Sequence, residues 1–272
     1  MIGKEENMAE IRDLTVENIW DEAGFCFQQL NPEAPYSEGD EERYLEGKKR
    51  KTSFLNEKLK KGGRAKIAYR DDDVVGFIEY YPIEIAPMEI VGKDLMVIFC
   101  MDVKERRKGI GSALLKACLE DSRKLGRKGV AVTCADDHWM AQSFFQKHGF
   151  VEVAKWAYMS MLLKKFEEVE NPDWLQGSFE PKLQKGKIVV SIFQNDRCPI
   201  IWRNAEVVRK VADEFKEYIV INEYDTNTKE NILKYKEVGA IYVNGRCVVG
   251  GPPVKEEEVR AAFEEEVKTA KF

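Results

Sequence analysis

Lys104-Glu105-Arg106-Arg107-Lys108-Gly109-Ile110-Gly111-Ser112-Ala113-Leu114-Leu115 separates two stretches of different period. Before it, Leu95 to Met101 is a continuous apolar run and reads as a strand. After it, Leu114, Leu115, Cys118, Leu119, Ser122 and Leu125 recur at helical spacing. A strand therefore ends, two glycines turn the chain, and a helix begins. A helix start leaves backbone N–H groups unpaired and carries partial positive charge. Glycine at 109 and 111 lets that backbone approach a ligand closely. Arg106, Arg107 and Lys108 add positive charge beside it. The physical reading is a socket for a phosphate or pyrophosphate.

The type of socket follows from what is missing. No Lys-Ser or Lys-Thr pair follows the second glycine, so it is not a P-loop. Leu114 stands where a dinucleotide fingerprint has its third glycine. What remains is Arg-x-x-Gly-x-Gly between a strand and a helix, which resembles the coenzyme A loop of the GNAT N-acetyltransferases. An ordinary strand-to-helix turn with a solvated, charged rim also carries so short a motif, and the rest of the chain has to decide.

Working outward, residues 11–14 form a short strand, and Thr15 is positioned to cap the helix after it. Residues 31–40 are rich in Pro, Ser and Gly and read as a loop; 41–61 is a charged helix ended by Gly62-Gly63. Residues 64–87 make a hairpin turning at Asp71-Asp72-Asp73, a solvated tip rather than a metal site. The near-continuous apolarity of Leu95 to Val103 predicts a central strand buried on both faces. Past the glycine loop come a strand at 129–134, a helix at 140–148 and two strands at 150–154 and 158–163. A second cue sits in this part: Ala141-Gln142-Ser143-Phe144-Phe145-Gln146-Lys147-His148-Gly149-Phe150 is similar to the GNAT segment Ala-x-x-Phe-Tyr-x-Lys-x-Gly-Phe. The element order is also that of the family. The resemblance covers residues 8–166 and implies an α/β domain, 1–166, with a mixed sheet and helices on both faces.

The resemblance implies an acetyl-CoA-dependent N-acetyltransferase that moves an acetyl group to an amine by direct attack. In this family the strand before the loop parts from its neighbour, and its backbone holds the pantetheine arm of coenzyme A; here that falls on Met101, Asp102 and Val103. The N–H groups from Arg107 through Lys108, Gly109, Ile110 and Gly111 to Ser112 would cradle the pyrophosphate. Arg106 takes the family's Arg/Gln position, Phe144 flanks the arm, and Lys147 lies near the adenosine or faces solvent. A Cβ at Gly109 or Gly111 would crowd the phosphate. Many members use the tyrosine of Phe-Tyr as the acid for the leaving thiolate. Phe145 stands there and has no proton to give, so Tyr158 or Cys134 would substitute, or the thiolate leaves unassisted. Glu79, Asp102, Asp136 and His138 are the candidate bases, and the sequence does not choose among them.

Residues 167–187 contain Asn-Pro-Asp-Trp and Gly-Ser-Phe-Glu-Pro and read as a linker. From 188 the pattern is βαβαββα, with a helix opened by Pro199 and a hairpin at Asn244-Gly245. This domain, 188–272, resembles a thioredoxin-like fold of the YoaP-like kind. Cys198-Pro199-Ile200-Ile201 lies where thioredoxins keep Cys-x-x-Cys. Ile201 replaces the second cysteine and Gly239 the proline before the third strand. The pattern argues against dithiol redox catalysis and leaves a monothiol function at Cys198, a site there for a soft metal or a thiol ligand, or a relic fold that serves as an interaction or substrate-positioning module.

Composition narrows the setting. The formal net charge is -5, which argues against a nucleic-acid binder. No apolar run approaches the ~20 residues of a membrane span, and residues 1–13 lack a signal peptide's apolar core. The six cysteines are scattered without a Cys-x-x-Cys pair, so no metal site or disulfide framework is expected, and four read as core thiols. These features predict a cytoplasmic location; the resemblance implies a small-molecule or protein amine as the acceptor, with a homodimer an open option. The alternative is a CoA-responsive binding protein with weak or lost transfer.

Overall fold

The computed structural model describes residues 9–29, 41–135, 140–251 and 253–269. The chain divides into two units. Unit 1 holds the described residues of Met1–Pro32, Leu55–Ala86 and Ile90–Trp174; unit 2 holds those of Glu33–Phe54, Pro87–Glu89 and Leu175–Phe272. The stretch before Leu55 and the residues Pro87–Glu89 thus group with the C-terminal part of the chain. The loop expected at 31–40 lies outside the described residues.

Unit 1 runs β1 (Glu10–Asp13), α1 (Ile19–Gln29), the end of α2 (Glu41–Lys60), β2 (Arg64–Arg70), β3 (Asp73–Pro82), β4 (Ile90–Val91), β5 (Leu95–Val103), α3 (Ile110–Lys124), β6 (Gly129–Cys134), α4 (Gln142–Lys147), β7 (Val151–Trp156), β8 (Met159–Lys165) and β9 (Asp173–Trp174). Seven strands form one sheet in the order β1-β2-β3-β5-β6-β8-β7. Only β5 and β6 are parallel neighbours, so the sheet is mixed, with the long apolar strand at its centre. Asp71 and Asp72 take positive φ (51° and 66°) at the β2–β3 turn, a conformation that Asp tolerates better than most residues. Thr15 does not cap α1: its hydroxyl accepts the Glu17 N–H at 3.3 Å in a turn, and the helix starts at Ile19.

One face of the sheet packs on α3 through Ile110, Leu114, Leu115, Cys118 and Leu119, which meet Ile78, Tyr80, Met96, Ile98, Val130 and Val132. The helix buries one stripe and leaves its opposite face charged, which is why the spacing was readable. On the other face Leu14, Ile19, Leu55, Ala65, Ile67 and Tyr69 form a second cluster. The stretch expected to be a linker contains β9, which pairs antiparallel with β4.

Unit 2 runs β10 (Ile188–Gln194), α5 (Pro199–Asp213), β11 (Ile219–Asp225), α6 (Lys229–Tyr235), β12 (Ile241–Val243), β13 (Arg246–Val249) and α7 (Glu256–Thr269). Its sheet order is β11-β10-β12-β13. β10 is parallel to β11 and antiparallel to β12, which pairs antiparallel with β13. Asn244 and Gly245 turn the last hairpin with φ of 49° and 83°, as a two-residue primed turn requires. Val190, Ile192, Ala205, Val208, Val211, Val259 and Phe263 fill the core. Thr228 caps α6 by accepting the Asn231 N–H at 3.2 Å. Thr228→Ala is expected to cost about 1 kcal/mol, read as a lower urea midpoint with unchanged slope. Among the described residues, no helix is long and apolar enough to cross a membrane.

Candidate active site

The site begins where the central strands part. β5 and β6 pair from Leu95 with Gly129 to Ile98 with Val132, and no further. At the same point β5 is bulged against β3: Tyr80 faces Ile98 and Glu79 faces Cys100, leaving Phe99 as the extra residue. A bulge bends the strand that carries it. Beyond it, β5 continues to Val103 against β3, while β6 continues to Cys134 against β8. The two strands thus diverge toward the glycine loop.

A cleft of about 400 Å³ occupies this end of the sheet. The strand contributes Met101, Asp102 and Val103; the loop contributes Glu105, Arg106, Arg107 and Gly109; α3 contributes Gly111 and Ser112. The far wall is Met140, Ala141, Phe144, Lys147 and His148. Of the residues assigned to the cofactor from the sequence, Lys108 and Ile110 do not line it. Ile110 is buried in the core beneath α3, because the first helical position points its side chain at the sheet. Glu105, Met140, Ala141 and His148 line the cleft and were not singled out. His148 lies inside the second motif, at a position that motif leaves undefined.

The two glycines serve different needs. Gly109 is the N-cap of α3 with φ of 78°, and a Cβ there would touch nothing within 4 Å. Its requirement is conformational. A Cβ on Gly111 would lie 3.6 Å from Phe144 Cζ and 3.8 Å from Met101 Cε, so a side chain there would grow into the cleft. Within the protein itself, a Cβ at Gly111 would make ordinary contacts and one at Gly109 none. The first bond of the helix is Ala113 N–H to Gly109 O, at 3.0 Å. The N–H groups of Ile110, Gly111 and Ser112 precede it at the positive end of a four-turn helix.

The charges favour an anion. Arg70 Nη1 pairs with Glu105 Oε2 at 3.0 Å and offsets the one acidic side chain of the loop. Burial raises the Asp102 pKa, against the Val103 N–H and the Arg106 guanidinium, which lower it. Asp102 Oδ1 accepts the Val103 N–H at 2.8 Å. One of the main-chain donors expected to hold the ligand arm is therefore engaged by the side chain before it.

The remaining candidates fall in different places. Glu79 is fully buried and its Oε2 accepts the Tyr81 hydroxyl at 2.6 Å. Glu22 and Cys26 of α1 bring their ligand atoms to within 4.8 Å of its carboxylate and of each other. Burial, with Glu79 next, raises the Tyr81 pKa far above that of a free phenol, so Tyr81 stays a donor. Sequence reading missed Glu22, Cys26 and Tyr81, since nothing in their local pattern relates α1 to β3. Tyr158 is 65% exposed beside the β7–β8 turn and is absent from the cleft lining. Cys134 is buried, with Sγ 3.7 Å from Ser160 O. Phe145 is also buried, with ring centroids 5.2 Å from Phe144 and 5.6 Å from Phe150. Asp136 and His138 lie outside the described residues. Only two of the four expected core thiols are buried, Cys118 and Cys134; apolar sequence neighbours do not decide which way a side chain points.

In unit 2, Cys198 is the N-cap of α5 and is half-buried. A Cβ on Gly239 would lie 2.6 Å from Ile201 Cδ1. Ile201 and Gly239 thus pack against each other. No peptide bond among the described residues is cis.

Residues 18–150 match the model of the acetyltransferase (GNAT) family. No curated protein matches the chain. Among solved structures, a PaiA N-acetyltransferase from Thermoplasma acidophilum in complex with coenzyme A is similar at 19% identity and a TM-score of 0.44, covering 58% of this chain and 99% of that one. A GNAT acetyltransferase from Brucella melitensis in complex with acetyl-CoA is similar at 14% and 0.39, covering 61% and 92%. The ribosomal-protein-S18-alanine N-acetyltransferase from Escherichia coli is similar at 16% and 0.42, covering 60% and 97%.

Proposed function

We propose, from the GNAT match over residues 18–150, that this chain uses acetyl-CoA to acetylate an amine and binds the cofactor in the cleft beside α3. The observation that carries the reading is the divergence of β5 from β6 with the α3 N-terminus at its mouth. The donor set fits coenzyme A: unpaired helix N–H groups and Arg106, Arg107 and Lys147 suit phosphates, and Gly111 leaves room that a side chain would fill. When bound, acetyl-CoA supplies an activated thioester. The main chain at Met101 and Asp102 would hold the arm, and Phe144 would flank it.

Asp102 is the carboxylate we assign to receive the amine proton. It lines the cleft, and burial makes it a better base. Glu79 is enclosed with Tyr81 and has no place in the cleft lining. In unit 2, the strand order and pairing support a thioredoxin-like domain, and Ile201 packed on Gly239 supports a module without dithiol chemistry.

The test is isothermal titration with acetyl-CoA, followed by release of free CoA thiol across a panel of amines. Micromolar binding and release with at least one amine are expected. No binding would sink the cofactor assignment. The second reading, a CoA-responsive binding protein, draws on Phe145, which offers no hydroxyl. Tight binding with no release from any amine would favour it.

A further inference from the structure

His148 holds a position that the motif leaves undefined, yet it stands in the cleft wall with both ring nitrogens engaged. Nδ1 lies 2.8 Å from Phe144 O and Nε2 lies 3.0 Å from Ser112 Oγ. The ring also leans on Phe144, with centroids 4.5 Å apart. These contacts fix the tautomer. A carbonyl oxygen only accepts, so Nδ1 carries the hydrogen. In the neutral ring Nε2 is then a lone pair, and Ser112 must donate its hydroxyl to it. The Ser112 oxygen is left showing lone pairs to the mouth of α3, where an anion would repel them.

Protonation reverses the bond. With Nε2 also a donor, Ser112 Oγ accepts, and its own hydrogen is released toward the cleft. The imidazolium adds a positive charge beside the same helix start. Resting on the coenzyme A reading above, we infer that His148 and Ser112 form a proton-linked phosphate contact, so that the cleft takes up a proton at His148 as it takes up the cofactor. Imidazole is the side chain whose unperturbed charge change falls between pH 5 and 8, which sets the two pH values of the test.

Other groups face the ring or share its surroundings. Lys164 of β8 donates to His148 O, and Lys147 is the preceding residue of α4. On α3, Lys116 lies one turn beyond Ser112 and pairs with Glu120 at 3.9 Å. Arg106, Arg107, Asp102 and Glu105 line the same cleft. A phosphomonoester gains its second charge near pH 6, which strengthens binding as pH rises. All of these remain when His148 is replaced, so the signal is the difference between two proteins.

Coenzyme A affinity is measured by isothermal titration at pH 6 and pH 8 for the wild type and His148→Gln. The wild-type advantage over the variant is expected to be roughly tenfold larger at pH 6, the scale of one charge-assisted hydrogen bond. The chain has two histidines, so proton NMR follows both imidazoles, and the resonance lost in the variant identifies His148. Its midpoint in the wild type is expected to rise by about one unit on adding coenzyme A, as reciprocal linkage requires. A wild type that binds with an unmoved His148 midpoint, or with the same pH dependence as the variant, overturns the inference and leaves the cofactor reading standing. No binding at either pH overturns both. If the variant does not fold, His138→Gln assigns the remaining resonance to His148 and the wild-type midpoint decides.

Discussion

Gly111→Glu is expected to lower acetyl-CoA affinity at least 100-fold while leaving the fold of unit 1 intact. Gly111 has no positive φ to protect, and its added Cβ would make only ordinary contacts with Phe144 and Met101. The backbone therefore accepts a side chain. What changes is the space and the charge at the α3 start. A glutamate in the first turn of a helix is favoured by the helix dipole, by about 0.3–1 kcal/mol. The unliganded protein should melt at the same temperature or slightly higher. The same carboxylate takes the place and the donors that a phosphate needs, and Arg106 and Arg107 are drawn to it. Stability and binding should move in opposite directions, which a general disruption of the fold cannot produce. A loss of about 2.8 kcal/mol corresponds to 100-fold. Titration with acetyl-CoA and a thermal melt of the unliganded variant check both halves. Affinity within threefold of wild type would show that the α3 start is not the phosphate site. Gly111→Ala should lose far less, since its methyl stops short of the cleft centre.

The long elements of unit 1 were legible because each has a clear period or run. The Leu95–Val103 strand, the α3 stripe and the Gly129–Cys134 strand are cases where burial on one or two faces leaves a direct mark in the residue order. The bulge at Phe99 left no mark. Every residue around it is apolar, so a slip of register costs the pattern nothing. Yet that bulge falls where β5 parts from β6. Strands β4 and β9 have two residues each, too short for any period, and one of them falls in a stretch whose Pro and Gly content reads as a linker. His148 and Glu22 show the other limit. Their roles depend on partners 36 and 57 residues away in the chain, Ser112 and Glu79, and a pairing across that distance is a property of the fold. Gly109 and Gly111 read alike in the sequence, and backbone angles separate them: Gly109 takes a positive φ, a matter of conformation, while Gly111 does not and borders the cleft, a matter of emptiness.

That distinction between conformation and emptiness also decides what Gly239 does. Gly239→Leu is expected to destabilise unit 2 by about 1–3 kcal/mol, the usual cost of overpacking. Gly239 has no positive φ, so the effect does not come from backbone strain. Its Cβ would meet Ile201 at 2.6, 3.0 and 3.1 Å, through Cδ1, Cγ1 and Cγ2. Three atoms of one β-branched side chain cannot all withdraw by one rotation. Ile201 sits at the start of α5, whose next turns fill the core with Ala205, Val208 and Val211, so the helix start has to move. The prediction is specific to the pair. Ile201→Ala should recover most of the loss, with a coupling of about 1 kcal/mol or more. Amide exchange in β10 and β12 reads it locally: Gly239→Leu lowers protection there, and the double variant restores it. Additive effects would mean that the two residues do not depend on each other. Coupling would establish that Ile201 and Gly239 depend on each other, an isoleucine seated on a glycine at the start of α5. Any function of Cys198 would then be carried by one sulfur at a helix start, with isoleucine and not a second cysteine three residues on.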